Sequence, residues 1–326
     1  MGFSQIIGHR VQLEGLRRAL TRDRLHHAYL FVGTEGVGKK TIALGLAKAI
    51  HCSVGKRDHC DECADCARIQ DGNHPDVRVI ELLAGKREIS IQQVRELEKE
   101  LSFRSFSGKR KIVILDPATL MNLSAQNALL KTLEEPPQNS LLILIAPAVG
   151  GLLPTVRSRC LRIAFGPLPR NLVAEFLIVQ QGLKPEEAEF LAAISMGSLG
   201  AAVKIDKEDI LQKRKRWLTL LISLRAYDYR AAMDAAEALA NNKDELTEFL
   251  EWVFCWHRDR LVYATTRDPQ EIVNLDLLSE MQPEITRSDL ENILSLLAEA
   301  AGASERIKRN LNRRMVLEHL LLHSAS

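Results

Sequence analysis

Residues 28–50 read Ala-Tyr-Leu-Phe-Val-Gly-Thr-Glu-Gly-Val-Gly-Lys-Lys-Thr-Ile-Ala-Leu-Gly-Leu-Ala-Lys-Ala-Ile. The apolar run Tyr29–Val32 predicts a short buried strand. Gly33, Gly36 and Gly38 punctuate a turn that ends at Lys39, and Ile42, Leu44, Leu46, Ala47 and Ile50 then recur at roughly helical spacing. A strand, a glycine loop and a helix in that order form a P-loop. Glycines let the backbone approach phosphate with its N–H groups turned inward, the helix N-terminus adds a positive dipole end, and the lysine supplies a point charge.

The motif departs from its usual form at one place. Gly33-x4-Gly38-Lys39 fits, but Lys40 stands where a Ser or Thr hydroxyl holds Mg²⁺. Moving the register to Lys40-Thr41 fails, because Lys39 would then occupy the glycine position. Thr41 lies about 100° further round the helix. Three readings stay open for Gly33, Gly36, Gly38, Lys39 and Thr41: a structural loop that binds no nucleotide, an ATP site without efficient hydrolysis, or a working hydrolase.

The chain has 326 residues, enough for two or three domains. It is 46% hydrophobic and 26% charged with a formal net charge of +2, so global charge favours neither binding nor avoidance of nucleic acid, and any such contact must be local. No transmembrane run is present, and the first ten residues lack the pattern of a secretory signal, so a cytoplasmic address is expected. Six cysteines in such a chain read as thiols or metal ligands before disulfides.

Cys52, Cys60, Cys63 and Cys66 are spaced C-x7-C-x2-C-x2-C in a polar segment between two helical patterns. That segment has too few apolar residues to order itself, and four thiolates around a structural Zn²⁺ would close it. Free thiols, a disulfide pair and an iron–sulfur cluster are the competing readings. His51 and His59 are nearby alternative ligands, expected instead to be solvated loop residues. Cys160 and Cys255, in apolar surroundings, are expected to pack.

Asp76–Ile80 reads as a second strand and Ile89–Leu101 as an amphipathic helix. Ile112–Asp116 is a buried parallel strand that brings a carboxylate to the edge of the sheet, where a P-loop enzyme places its metal-binding acid. The next residue is often a glutamate that polarises water; here it is Pro117, which cannot act as a base. Leu120–Leu133 predicts another helix. Ser140–Ala146 is a further strand, ending in Ala146 where a polar sensor of phosphate would stand, and Leu161–Phe165 is one more. Strands alternating with helices predict a parallel sheet covered on both faces.

These motifs, in this order, resemble the clamp-loader branch of the AAA+ family. The resemblance rests on Ile7-Gly8-His9, on His27-Ala28-Tyr29-Leu30-Phe31, and on the four-cysteine insert. It rests also on Ala125-Gln126-Asn127-Ala128-Leu129-Leu130-Lys131 with Leu133-Glu134-Glu135-Pro136-Pro137, and on Leu153-Pro154-Thr155 with Ser158-Arg159-Cys160. It is firm to about residue 205 and weak beyond. It implies that Arg159 is an arginine finger directed at ATP in a neighbouring subunit, where a guanidinium stabilises charge on the transferred phosphate. It also implies a lid arginine after Gly197-Ser198-Leu199, where this chain has Gly200. Four departures in one site match a subunit that completes its neighbour's site and hydrolyses nothing itself.

The resemblance thus implies a subunit of the bacterial DNA polymerase III clamp loader, in a hetero-oligomeric ring with ATPase motor subunits and a clamp-opening subunit. Sliding clamp and primed DNA are met through the complex. The expected fold is an α/β P-loop AAA+ domain over residues 1–166 with the zinc insert at 51–70, a helical lid at 167–207 and an all-helical collar at 208–326. Collar helices are expected at 210–226, 228–241, 243–267, 285–303 and 305–324. Trp252 and Trp256, four residues apart, are expected in the core. Basic clusters at 109–111, 213–216 and 306–314 are expected to be solvated faces or subunit contacts rather than DNA contacts, with no aromatic interleaving for single-strand stacking. The alternatives are an active motor ATPase and a zinc-organised DNA-binding module with a vestigial P-loop.

Overall fold

The computed structural model describes residues 2–55, 58–224, 229–287 and 289–324. It divides into two units, Met1–Lys204 and Ile205–Ser326.

The first unit is built on five parallel strands: β1 (Ala28–Val32), β2 (Val77–Ile80), β3 (Lys111–Leu115), β4 (Ser140–Ala146) and β5 (Leu161–Ala164), in the order β2-β3-β4-β1-β5. All paired strands run parallel. β1 and β4 are buried along their whole length, which is why they read as unbroken apolar runs rather than alternating ones. α1 (Arg10–Thr21), α2 (Lys39–His51) and α3 (Ala64–Gln70) precede β2; α4 (Ile91–Ser102), α5 (Leu123–Glu134) and α6 (Pro154–Arg157) complete the crossovers. Leu16, Ile42, Leu46 and Ile69 pack with Tyr29, Phe31 and Ile143 in one core. Val94, Leu97, Ala125 and Leu129 pack with Leu30, Leu142 and Leu144 in another. Successive strand residues face opposite ways, so one strand feeds both cores. α4 starts where expected because Ser90 and Gln93 form a capping box.

Three helices end this unit: α7 (Arg170–Gln181), α8 (Pro185–Ile194) and α9 (Leu199–Lys204). Gly197, at φ +79°, sits where a Cβ would come within 2.5 Å of the Leu168 carbonyl oxygen.

The second unit is entirely helical among its described residues: α10 (Lys207–Ser223), α11 (Tyr229–Asn241), α12 (Lys243–Thr266), α13 (Leu278–Arg287), α14 (Leu290–Lys308) and α15 (Arg313–Ser324). α10 begins earlier than expected because Asp206 caps it, accepting from the amides of Glu208 and Asp209. The expected boundaries at 226 and 228 fall outside the described residues. The expected helix at 285–303 is a correction: α13 ends at Arg287 and α14 starts after Asp289, whose carboxylate accepts from the Asn292 amide. α13 escaped notice because Pro283 lies inside it. Trp217, Phe249, Trp252 and Trp256 form the centre of the core, with Trp252 stacked on Trp256 at 5.8 Å.

Candidate functional site: a phosphate loop, a cysteine cluster and an edge arginine

The glycine loop joins β1 to α2 at the carboxyl end of the sheet. Gly36 and Gly38 have φ of +77° and +106°, so the loop uses backbone space open to glycine. Lys39 is buried, and its Nζ donates to the carbonyls of Gly33 at 2.6 Å and Thr34 at 2.8 Å. Burial lowers its pKa, offset in part by the charges of Asp116 and Glu35. The ammonium is therefore folded back on its own loop. Val37 is held from below: its carbonyl is 2.8 Å from Nε2 of His9.

Asp116 follows β3 and Glu81 follows β2, so both stand at that same edge. Lys40 is ion-paired with Glu81, and its charge also acts on Asp116. Burial raises the Asp116 pKa, against the lowering effect of Lys40 and Lys39. An ammonium thus occupies the region where a metal ligand would be needed. Thr41 is exposed. Glu81 was missed in the sequence: it directly follows a strand as Asp116 does, but that the two strands are neighbours is set only by the sheet.

The first residues of α9 lie directly on the loop. The Gly200 amide donates to the Gly36 carbonyl at 2.9 Å, and the Ser198 hydroxyl to the Glu35 carbonyl at 2.8 Å. A Cβ on Gly200 would lie 2.9 Å from the Gly36 Cα. A residue without a Cβ at position 200 is what allows this approach.

Arg159 occupies the other edge. It precedes β5, and Leu161 pairs with Tyr29 near the start of β1, whereas the phosphate loop follows the end of β1. The length of β1 separates them, about 16 Å at about 3.3 Å per residue. The turn bearing Arg159 is set by α5. Oε1 of Gln126 accepts from the Leu153 amide at 2.8 Å, and its Nε2 donates to the carbonyls of Met121 and Gly151. Pro154 then opens α6. The Arg159 guanidinium contacts Glu134, Thr155 and Ser158. An open concavity of about 580 Å³ lies beside it, lined also by His26 and His27.

The thiols of Cys52, Cys60, Cys63 and Cys66 lie within 4.8 Å of one another. Cys52 Sγ is 3.6 Å from Cys60 Sγ and 3.9 Å from Cys63 Sγ. A tetrahedron of sulfurs at the Zn–S distance of about 2.3 Å has edges of about 3.8 Å. The Gly55 amide donates to Cys52 Sγ at 3.1 Å and the Cys63 amide to Cys60 Sγ at 3.2 Å, which favours thiolates. The donor set and spacing fit a four-thiolate metal ion.

His51 and His59 are a correction: both are buried. His51 closes α2 facing the Arg110 carbonyl at 2.9 Å, with its ring 4.4 Å from that of His74, and burial takes its pKa down to about 4. His59 packs edge-on against Phe3. His51, His74 and Asp76 also lie within ligand distance of one another, but their atoms are committed. Asp76 accepts from the amides of Phe106 and Ser107 and the hydroxyls of Ser105 and Ser107, and His74 Nδ1 accepts from the Asp76 amide.

The basic clusters meet acids or carbonyls. Lys109 Nζ donates to the His51 carbonyl, Arg110 pairs with Asp23, Lys213 with Asp209 and Glu248, and Arg314 with Glu237 and Glu318. Arg214 is buried on Asn274 and Asp276. One expectation fails: the approach to β3 does interleave aromatics with basic residues. Phe103 and Phe106 are 60% and 87% exposed around Arg104, and Lys111 lies over the Phe103 ring.

A family model described as "DNA polymerase III, delta subunit" matches residues 8–169, and one described as "DNA polymerase III, delta subunit, C terminal" matches residues 208–325. The chain is 33% identical over 305 residues to DNA polymerase III subunit delta' of Pseudomonas aeruginosa, covering 92% of each chain. It is 29% identical over 311 residues to subunit delta' of Bacillus subtilis, covering 94% of this chain and 93% of that one. It is 30% identical over 251 residues to subunit tau of Escherichia coli, covering 74% of this chain and 39% of tau. No helix is long and apolar enough to cross a membrane among the described residues.

Proposed function

The chain belongs to the delta-prime family of DNA polymerase III subunits, and on that premise we propose that it completes the ATP site of a neighbouring clamp-loader subunit with Arg159. It is a clamp-loader subunit, a member of a hetero-oligomeric complex with tau/gamma-type subunits. The sliding clamp and primed DNA are its substrates through that complex, in the cytoplasm. The observation that carries the proposal is the position of Arg159 at the opposite end of the strands from its own phosphate loop. A guanidinium there serves another chain's nucleotide or none.

The chain's own loop argues against a motor. Lys40 stands at the metal position paired with Glu81, Pro117 follows Asp116, Ala146 ends β4, and Gly200 replaces the lid arginine. Gly33, Gly36, Gly38 and Lys39 read best as a retained cradle rather than a hydrolytic site. Residues 1–166 act as the P-loop domain, 167–207 as the lid and 208–326 as the collar that holds the ring.

Cys52, Cys60, Cys63 and Cys66 would hold a structural Zn²⁺, which cross-links the insert and leaves no open coordination position for catalysis. What surrounds the site points the same way. Asp58 accepts from the Phe3 amide and Lys48 pairs with Asp61, so an ordered insert pins the first residues against α2.

The test is steady-state ATPase of the reconstituted clamp loader with clamp and primed DNA. Arg159→Ala is expected to cut turnover at the site it serves by about 10³-fold, the effect of losing an arginine finger, and less in the ring average. Lys39→Ala in this subunit is expected to do little. Loss of turnover with Lys39→Ala and not with Arg159→Ala would identify a motor subunit instead.

A further inference from the structure

Arg159 is not a loose side chain. Its Nη2 lies 2.6 Å from Oε1 of Glu134, the last residue of α5. Its Nη1 donates to the Thr155 carbonyl at 2.9 Å and contacts the Ser158 hydroxyl at 3.4 Å. The anchors lie on two elements, α6 one turn back and α5 across from it. Arginine side chains have several rotatable bonds, and such a finger must otherwise be ordered when its target arrives. Here that ordering precedes the encounter. The side chain is still 34% exposed at the rim of the concavity that His26 and His27 also line. A guanidinium has five N–H donors; these contacts leave Nε–H and a second Nη2–H for a further acceptor.

We propose that Glu134 is a positioning residue for Arg159, holding the guanidinium in the pose in which it meets the neighbouring subunit's terminal phosphate. This rests on the reading of Arg159 as a finger acting in trans. The ion pair is half-exposed, so its own strength is small. Glu134 therefore works by orientation and not by tight binding, and a phosphate bearing more charge meets no lock. A misplacement of about 1 Å at a reacting centre can cost about 10²-fold. Loss of the carboxylate spreads the finger over several rotamers and forfeits part of its effect.

The experiment measures kcat and KM for ATP in the reconstituted clamp loader carrying Glu134→Ala, Glu134→Gln, Arg159→Ala or the double variant Glu134→Ala/Arg159→Ala. Intact assembly is checked for each by gel filtration. Glu134→Ala is expected to lower kcat by at least half of the fold-loss given by Arg159→Ala, with KM unchanged within about twofold. Glu134→Gln keeps an oxygen that accepts from Nη2 and is expected to retain at least half of wild-type turnover. The double variant is expected to be no slower than Arg159→Ala alone. If Arg159→Ala runs at the wild-type rate, the finger reading fails and takes this proposal with it. If Arg159→Ala is impaired while Glu134→Ala matches or exceeds wild type, the finger stands and the positioning role is overturned. Additive losses in the double variant, or failure of Glu134→Gln to assemble, would make Glu134 a structural residue and overturn the proposal too.

Discussion

The Gly200 amide lies 2.9 Å from the Gly36 carbonyl oxygen, so the first turn of the lid is bonded to the phosphate loop itself. The Ser198 hydroxyl on the Glu35 carbonyl adds a second bond between the same two segments. Gly200→Arg puts a Cβ 2.9 Å from the Gly36 Cα, closer than side chains come without a shift. The expected result is a loss of about 1–3 kcal/mol, as for other overpacked sites, read by urea denaturation, with no gain of ATP hydrolysis because Lys40 and Pro117 remain. A variant as stable as wild type would show that the lid is not seated on the loop.

Metal removal should act locally. The purified chain is expected to carry one zinc ion, and Cys60→Ser/Cys63→Ser to carry none. Chelation should raise hydrogen exchange at residues 52–66 and at the N-terminal segment that Asp58 holds through the Phe3 amide. β1 and β4, buried along their whole length and packed mainly against α1, α2, α4 and α5, should stay protected. Collapse of the whole sheet on chelation would contradict a local role.

Asp76 holds the 105–107 loop. Burial alone would raise its pKa, but hydrogen bonds donated by Ser107, Phe106 and Ser105 outweigh this and bring it from 3.8 down to about 2. For a carboxylate with a lowered folded pKa, the stabilisation is full above its unfolded value and disappears as pH falls through the folded one. The drop corresponds to about 2 kcal/mol. Asp76→Ala is expected to cost more at pH 7 than at pH 2, by about that amount. An equal cost at both pH values would assign the effect to packing.

His257 gives the helical unit a sensitivity of the same sign, in a higher pH window. Its ring is almost completely buried, and burial, then Arg260 and His323, bring its pKa from 6.5 down to about 3. Nδ1 faces Arg260 at 3.2 Å, so the neutral ring is the form that fits. A base with a lowered folded pKa binds its proton more readily when unfolded, so its support is full above about pH 6.5 and is lost as pH falls toward 3. At pH 5 the loss is about 2 kcal/mol. Hydrogen exchange of α12 at pH 7 and pH 5, extrapolated to a common chemical rate, should show it, and His257→Leu should flatten the difference. An unchanged difference in that variant would point to another titrating group.

Residue order by itself determined a good deal here. Unbroken apolar runs placed β1, β3 and β4 within a residue or so, because a strand buried on both faces has no polar alternation to confuse it; β2 and β5, each interrupted by an arginine and partly exposed, were placed as closely by their turns and neighbours. Gly-x4-Gly-Lys placed the loop, and the C-x7-C-x2-C-x2-C spacing placed the thiol cluster, because both depend on residues close in the chain. Lys40, Pro117, Ala146 and Gly200 were each legible as departures. Tertiary structure alone decided what those departures do. Lys40 meets Glu81 from 41 residues away, Gly200 closes on Gly36, and Arg159 rests on Glu134. Burial of His51 and His59 and the separate start of α14 were likewise invisible in sequence. Each depends on which surfaces meet when distant segments pack, and no local periodicity encodes that. The parallel strand register finally sets Arg159 and the phosphate loop at opposite ends of the strands, and that separation is what the proposed trans role of Arg159 requires.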